Sequence, residues 1–176
     1  MFSDPEKNLN QFSLGDDWNV ADFGVGSGAY ALIAAERLLS GGGHIYAVDI
    51  QKNLLSKLKK EPEDEHYKNL DVVWGDVEEP NGSGLGDNSM DAVIASNIFF
   101  QLEDKKAAIQ EIRRVLRTGR RVLMVDWSES FGGLGPRTEN IFKKEDAREL
   151  FENADFDFVE EIKAGEHHYG LIFKKK

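Results

Sequence analysis

The sequence contains no cysteine, which excludes disulfides, thiolate zinc sites and cysteine nucleophiles. It also lacks a positive charge balance. Its 22 Lys and Arg stand against 32 Asp and Glu, a formal net charge of −10. That disfavours a nucleic-acid or anionic-membrane surface, because binding phosphate depends on positive potential. No apolar run approaches the roughly 18 residues of a membrane span. The opening Met1-Phe2-Ser3-Asp4-Pro5-Glu6 has no basic stretch leading into an apolar one, as a secretory leader would. The expectation is a cytoplasmic protein with a small partner, no nucleic acid and no membrane span. At 176 residues the chain suits one domain with a single core, taken as residues 1–176 with a short N-terminal extension over 1–17.

What is present is an alternation of apolar, strand-like runs with amphipathic, helical ones from residue 18 to about 126. This rhythm predicts parallel βα units, and so a doubly wound α/β sheet. Strands are expected at 18–23, 45–48, 70–74, 90–95 and 121–125. Helices are expected at 29–39, stopped by Gly41-Gly42-Gly43, at 51–60, ended by Pro62, and at 105–116. Thr118-Gly119 reads as the turn into the fifth strand. The last fifty residues break the pattern. A glycine-rich loop at 131–137 precedes a helix near 143–153, and strands at 156–162 and 169–173 form an antiparallel hairpin around Ala164-Gly165-Glu166. A short helix is also possible at 5–12.

Open α/β sheets bind ligands beyond the carboxyl ends of their strands, so the residues there are the candidates. Strand one runs into Asp22-Phe23-Gly24-Val25-Gly26-Ser27-Gly28. Its glycines at alternate positions leave the turn without Cβ atoms where backbone must approach a ligand, and the next helix aims its unpaired N–H groups at it. Strand two ends in Asp49, strand three in Gly75-Asp76, strand four in Ser96-Asn97 and strand five in Asp126-Trp127. Asp49, 21 residues beyond Gly28, stands where a carboxylate can accept the hydroxyls of a ribose. Asp76 can take an adenine amine, with Ile50 and Val77 as apolar walls for the base.

Each residue also has a plainer reading. Asp49 can be the cap of the helix that follows it, Phe99 and Phe100 can be packing residues, and His168 can be a structural histidine in a strand. The histidines His167 and His168 fall near the ligand edge by topology. They are the candidate general bases should the acceptor be a hydroxyl. A nicotinamide dinucleotide enzyme is the competing reading, since Gly24, Gly26 and Ala29 satisfy GxGxxA spacing. Against it stand the short chain, the absence of a Tyr followed four residues later by Lys, and Asp22. That carboxylate is an awkward neighbour for a pyrophosphate and a favourable one for an ammonium or sulfonium.

In combination these segments resemble the class I S-adenosylmethionine-dependent methyltransferases. Val20-Ala21-Asp22-Phe23-Gly24-Val25-Gly26-Ser27-Gly28 is similar to that family's first motif. Val48-Asp49 resembles its acidic strand-two end, Gly75-Asp76-Val77 its adenine segment and Asp91-Ala92-Val93-Ile94-Ala95-Ser96-Asn97 its fourth motif. The run from Arg114 to Trp127 resembles the helix, turn and fifth strand, although Thr118-Gly119-Arg120 stands where many relatives carry Pro-Gly-Gly.

The resemblance implies a Rossmann-like, mostly parallel seven-stranded sheet whose seventh strand is inserted antiparallel at the sheet edge. It implies S-adenosylmethionine as cofactor and S-adenosylhomocysteine as product. Asp22 and Gly24 would hold the methionine end, Asp49 the ribose, and Asp76 and Val77 the adenine, with Ile50 walling the base, Gly26 and Gly28 completing the cofactor-binding turn and Asn97 beside the methyl group. The similar branch includes ubiquinone and menaquinone biosynthesis methyltransferases and points to a small-molecule acceptor. Strand four ends without an Asn-Pro-Pro-Tyr-like signature, and without cysteine an arsenite-methylating mechanism is excluded. Two further readings are a non-catalytic S-adenosylmethionine-binding subunit and a different adenine nucleotide as ligand. Little chain precedes strand one, so the acceptor side is expected to be open and closed by a large substrate or a second copy in a homodimer.

Overall fold

The computed structural model describes residues 3–59 and 67–176. The expected end of the third helix at Pro62 lies outside them. The apolar runs become seven strands, β1 Asn19–Phe23, β2 His44–Asp49, β3 Leu70–Trp74, β4 Met90–Ser96, β5 Leu116–Trp127, β6 Phe156–Ile162 and β7 His168–Lys175. Helices α1 Pro5–Phe12, α2 Ala29–Leu38, α3 Lys52–Leu58, α4 Lys105–Val115 and α5 Lys144–Glu152 pack around them. The strands form one sheet in the order β3-β2-β1-β4-β5-β7-β6. β1 pairs in parallel with both β2 and β4, so the strand order reverses at β1.

The helices cover both faces of the sheet, which is why β4 is apolar from Ala92 to Ala95 and buried at every residue but Ser96. On one face α4 and α5 bury Ile109, Ile112, Val115 and Phe151 against Phe23, Val93, Met124 and Phe173. On the other, α1, α2 and α3 bury Leu9, Phe12, Ala34, Leu38 and Leu58 against Val20, Ile45, Ile94 and Ile172. The helix at 5–12 forms and docks on the body. Asp4 caps it by accepting the Lys7 N–H at 3.2 Å, and Arg121 donates to the carbonyls of Phe12 and Ser13 at its far end.

Two expectations need correcting. Thr118-Gly119 is not a turn ahead of a separate strand. β5 begins at Leu116, and the pairing jumps from Met90↔Leu116 to Ala92↔Arg121, so this segment is a bulge within β5 with Gly119 at φ +79°. Its arginines explain it. Arg117 and Arg120 both reach the buried Asp91 carboxylate, at 2.5 and 3.1 Å, and the opposite oxygen of Asp91 accepts the Asn19 N–H. The seventh strand, in turn, is not the sheet edge. β7 lies between β5 and β6, antiparallel to both, and β6 forms the edge. β6 therefore runs parallel to the first five strands, and the turn into β7 lies at their carboxyl ends.

Candidate active site

The strand order reverses between β1 and β4, and a cleft opens at their carboxyl ends, as open α/β sheets require of a ligand site. It consists of two adjoining hollows of about 310 and 170 Å3 that share Gly24, Asp49, Gln51 and Gln101. Asp22, Gly26 and Asn97 line the first; Ile50, Asp76 and Val77 line the second. The polar ends of four different strands thus converge on one cleft.

The three glycines of the turn do different things. All have positive φ, +72°, +55° and +87° for Gly24, Gly26 and Gly28. A Cβ on Gly28 would stand 2.6 Å from Leu58 Cδ1, and one on Gly24 would stand 2.5 Å from Ile98 Cδ1. Gly28 is a packing residue where α2 meets α3, and it lines neither hollow. A Cβ on Gly26 would meet only the Gly24 carbonyl oxygen, at 3.8 Å. Gly26 is therefore the position where bare backbone faces open space.

Asp49, nearly buried, joins the two hollows. Its Oδ2 accepts the Gly26 N–H at 3.0 Å and its Oδ1 accepts the Gln51 N–H at 2.8 Å. The second bond is the helix-entry role weighed from the sequence, and the first ties the end of β2 to the glycine turn. Asp22 is buried beneath it. Burial, reinforced by the charge of Asp49, pushes the Asp22 carboxyl up to about 8, against a weaker opposing pull from the Ala31 N–H. With no cation beside it Asp22 therefore favours its protonated form at neutral pH. A cation placed beside it would favour ionisation.

The far wall comes from the segments after β3 and β4. The Asp76 N–H donates to the Gly82 carbonyl at 3.0 Å, and Asp76 Oδ1 accepts the Glu78 N–H at 3.0 Å. These bonds hold the loop so that Val77 packs inward. Asn97 adopts φ +55° and gives its N–H to the Val125 carbonyl. Its Oδ1 is buried without a hydrogen-bond partner among the described residues, an arrangement that buried polar atoms rarely keep. A 3-10 turn, Phe99–Gln101, follows and carries Gln101 over both hollows. Phe99 is core, stacked on Phe142 and tilted against Phe151. Asp126 anchors this turn from β5, since its Oδ2 accepts the Phe100 N–H at 3.1 Å while Oδ1 accepts the Trp127 N–H at 2.8 Å.

Gln51, Gln101 and Tyr30 escaped the reading of strand ends because they stand further on, at the cap of α3, in the 3-10 turn and in the first turn of α2. Polar residues there carry no pattern that separates ligand contact from solvation. Ser3 and Pro5, at the start of α1, also line the first hollow, which no feature of the sequence signalled.

The two histidines lie apart from these hollows. His167 Nδ1 pairs with Glu129 at 2.8 Å, and its ring stacks on Phe131 with centroids 3.9 Å apart. His168 lies against Trp127 with ring centroids 4.2 Å apart and planes tilted by 38°, and burial pushes its pKa down to about 4. The expectation of a histidine titrating near neutrality does not hold for His168. It is a neutral imidazole and a weak base.

A family model described as a methyltransferase domain matches residues 14–172. The fold also superposes on a SAM dependent methyltransferase from Aquifex aeolicus with a TM-score of 0.87. The sequences are 23% identical, and the match covers 98% of this chain and 89% of that one. A protein from Sulfolobus solfataricus described as a type 11 methyltransferase superposes with a TM-score of 0.78 at 25% identity, over 100% of this chain and 94% of that one. The cyclase SpnF matches with a TM-score of 0.81 at 15% identity, over 97% and 79%, so the fold alone does not dictate the reaction. With the matched region running from before β1 into β7 and including the strand-end residues of the cleft, this chain belongs to the methyltransferase-domain family and is a class I S-adenosylmethionine-dependent methyltransferase.

Proposed function

We propose that the chain, acting as one domain over residues 1–176, transfers the methyl group of S-adenosylmethionine to a small-molecule acceptor, with the donor in the cleft at the β1/β4 reversal. The observation that carries this placement is Asp49, which bonds to the Gly26 N–H and borders both hollows. Two features fit the donor. Gly26 leaves a cradle that a Cβ would fill, and Asn97 Oδ1 is a buried acceptor waiting for a donor.

In this reading the larger hollow takes the methionine end, where Asp22 and Asn97 meet the ammonium and the sulfonium side. Asp49 accepts the ribose hydroxyls with the lone pairs left over from its two backbone bonds. Ile50 and Val77 sandwich the adenine, and Asp76 accepts its amine. S-adenosylmethionine supplies an electrophilic methyl group on a positively charged sulfur. The protein's contribution is to hold the acceptor collinear with that bond and to exclude water, which can supply much of the rate enhancement. Asp22 adds a charge-dependent grip, because its carboxylate pairs with the cationic donor and loses part of that attraction once the sulfur becomes neutral.

Calorimetry against S-adenosylmethionine, S-adenosylhomocysteine and NAD tests the placement. Binding of the first two and not of NAD is expected; the reverse would overturn it. A second copy closing the acceptor side would appear as a dimer in sedimentation.

A further inference from the structure

The larger hollow of the cleft is acidic. Asp22 and Asp49 line it, and none of the described residues around it is Lys, Arg or His. The glycine turn has already spent four of its N–H groups. Gly24 and Val25 both donate to the Val48 carbonyl, Gly26 donates to Asp49 and Gly28 to the Val25 carbonyl. The amino-acid end of the donor carries a carboxylate as well as an ammonium. Beside two aspartates that carboxylate is repelled unless a donor of the same hollow meets it.

Tyr30, in the first turn of α2, and Ser3, just ahead of α1, line this hollow too. The buried Asn8 of α1 joins them. Its Nδ2 donates to Ser3 Oγ at 2.9 Å and to Tyr30 Oη at 2.7 Å. Each hydroxyl thus accepts from the amide and keeps a proton to give. The two oxygens are 3.3 Å apart, so one hydroxyl can donate to the other, but not both at once. At least one hydroxyl proton is left without an acceptor among the described residues. The scaffold behind this cluster is fixed. Arg37 of α2 donates to the Glu6 carbonyl at 3.1 Å, and Gln11 bonds in both directions to the Lys163 backbone, at 3.1 and 3.2 Å.

Resting on the reading that this hollow takes the methionine end of S-adenosylmethionine, we infer that the hydroxyls of Tyr30 and Ser3 receive the donor's carboxylate. Asn8 is the positioning residue that sets both hydroxyls to donate. A hydrogen bond from a hydroxyl to a carboxylate is charge-assisted and stronger than one between neutral groups. The ammonium is then left to Asp22 and Asn97. The two ends of the zwitterion are thereby sorted by the chemistry of the lining, acid for the cation and hydroxyl for the anion.

The test compares S-adenosylhomocysteine with its decarboxylated form, which keeps the ammonium and has no carboxylate, by calorimetric titration into the full chain. An acidic hollow with no place for a carboxylate prefers the decarboxylated ligand, because that ligand carries the greater positive charge. The inference predicts the opposite order, with S-adenosylhomocysteine about tenfold tighter, the factor that one hydrogen bond to a charged group gives. Tyr30→Phe should weaken S-adenosylhomocysteine about tenfold and leave the decarboxylated ligand within about twofold of its affinity for the unsubstituted chain. Ser3→Ala should act in the same direction, with a smaller loss. Equal or tighter binding of the decarboxylated ligand by the unsubstituted chain would overturn the inference, as would a loss in Tyr30→Phe that falls equally on both ligands. The ligand comparison and Ser3→Ala decide it even if Tyr30→Phe fails to fold. Failure of both ligands to bind the unsubstituted chain would instead refute the placement of the donor.

Discussion

Asp49 Oδ2 accepts the Gly26 N–H at 3.0 Å, so the carboxylate at the end of β2 and the one glycine of the Gly24–Gly28 turn with open space beside it are locked together before any ligand arrives. The bond pre-orders the turn. It also predicts that substitutions around the turn separate into those that damage ligand binding and those that damage the fold.

Gly26→Ala and Gly28→Ala should behave differently. At Gly26 the new Cβ enters open space but sits at φ +55°, which costs on the order of 1 kcal/mol of backbone strain. Its main effect should be at least a tenfold loss in affinity for S-adenosylhomocysteine. At Gly28 the Cβ collides with Leu58, so the larger effect should be a drop in melting temperature from separating α2 and α3. Calorimetric titration and thermal melts of both variants check the contrast.

The Asp91 carboxylate, buried at the end of β4 away from the cleft, is held below the ordinary carboxylate range by Arg117, the Asn19 N–H and Arg120, against the opposing effect of burial. Its contacts are those of a clamp on the β5 bulge. Asp91→Ala should destabilise the chain by about 2 kcal/mol, as loss of one member of a buried charge cluster does. Affinity for S-adenosylhomocysteine should stay within twofold of the unsubstituted chain. Chemical denaturation beside calorimetry distinguishes the two outcomes.

Stability should fall as pH rises from 6.5 to 8 in the absence of ligand. Burial raises Asp22 to about 8 and Asp126 to about 7 from a reference near 3.8. Across that interval the unfolded chain has already lost both protons while the folded chain still holds part of them, so each step in pH favours unfolding. His168, lowered to about 4 from 6.5, acts in the opposite direction, mostly below this interval and fading within its lower half. The decline should be on the order of 1 kcal/mol and should shrink in Asp22→Asn. Donor binding runs the other way. Below pH 8 S-adenosylmethionine should displace the Asp22 proton, so its affinity should rise with pH, and buffer-dependent binding enthalpies should record the released proton.

Much of this architecture was legible from periodicity. Strands such as β3 and β4 stand where their apolar runs end, and Asp22, Asp49, Asp76 and Asn97 come to one cleft because each closes a parallel strand. What escaped the sequence depends on contacts between distant segments. The β5 bulge exists because Arg117 and Arg120 find Asp91 across the sheet, and local turn chemistry at Thr118-Gly119 cannot reveal that partner. Gly28 resembles its two neighbours in sequence and differs only through Leu58 on another helix. His168 reads as a residue with a pKa near neutral until its burial is known. The place of β7 inside β6 is set by hairpin topology, which alternation alone leaves open.

The most direct test of the account is calorimetric titration of S-adenosylhomocysteine into the unsubstituted chain and into Asp49→Ala, with thermal melts of both. The account predicts binding by the first, at least a tenfold loss in the second, about 1.4 kcal/mol or more, and melting temperatures that differ little. Equal affinities in the two proteins would contradict it, because Asp49 would then be only the entry residue of α3.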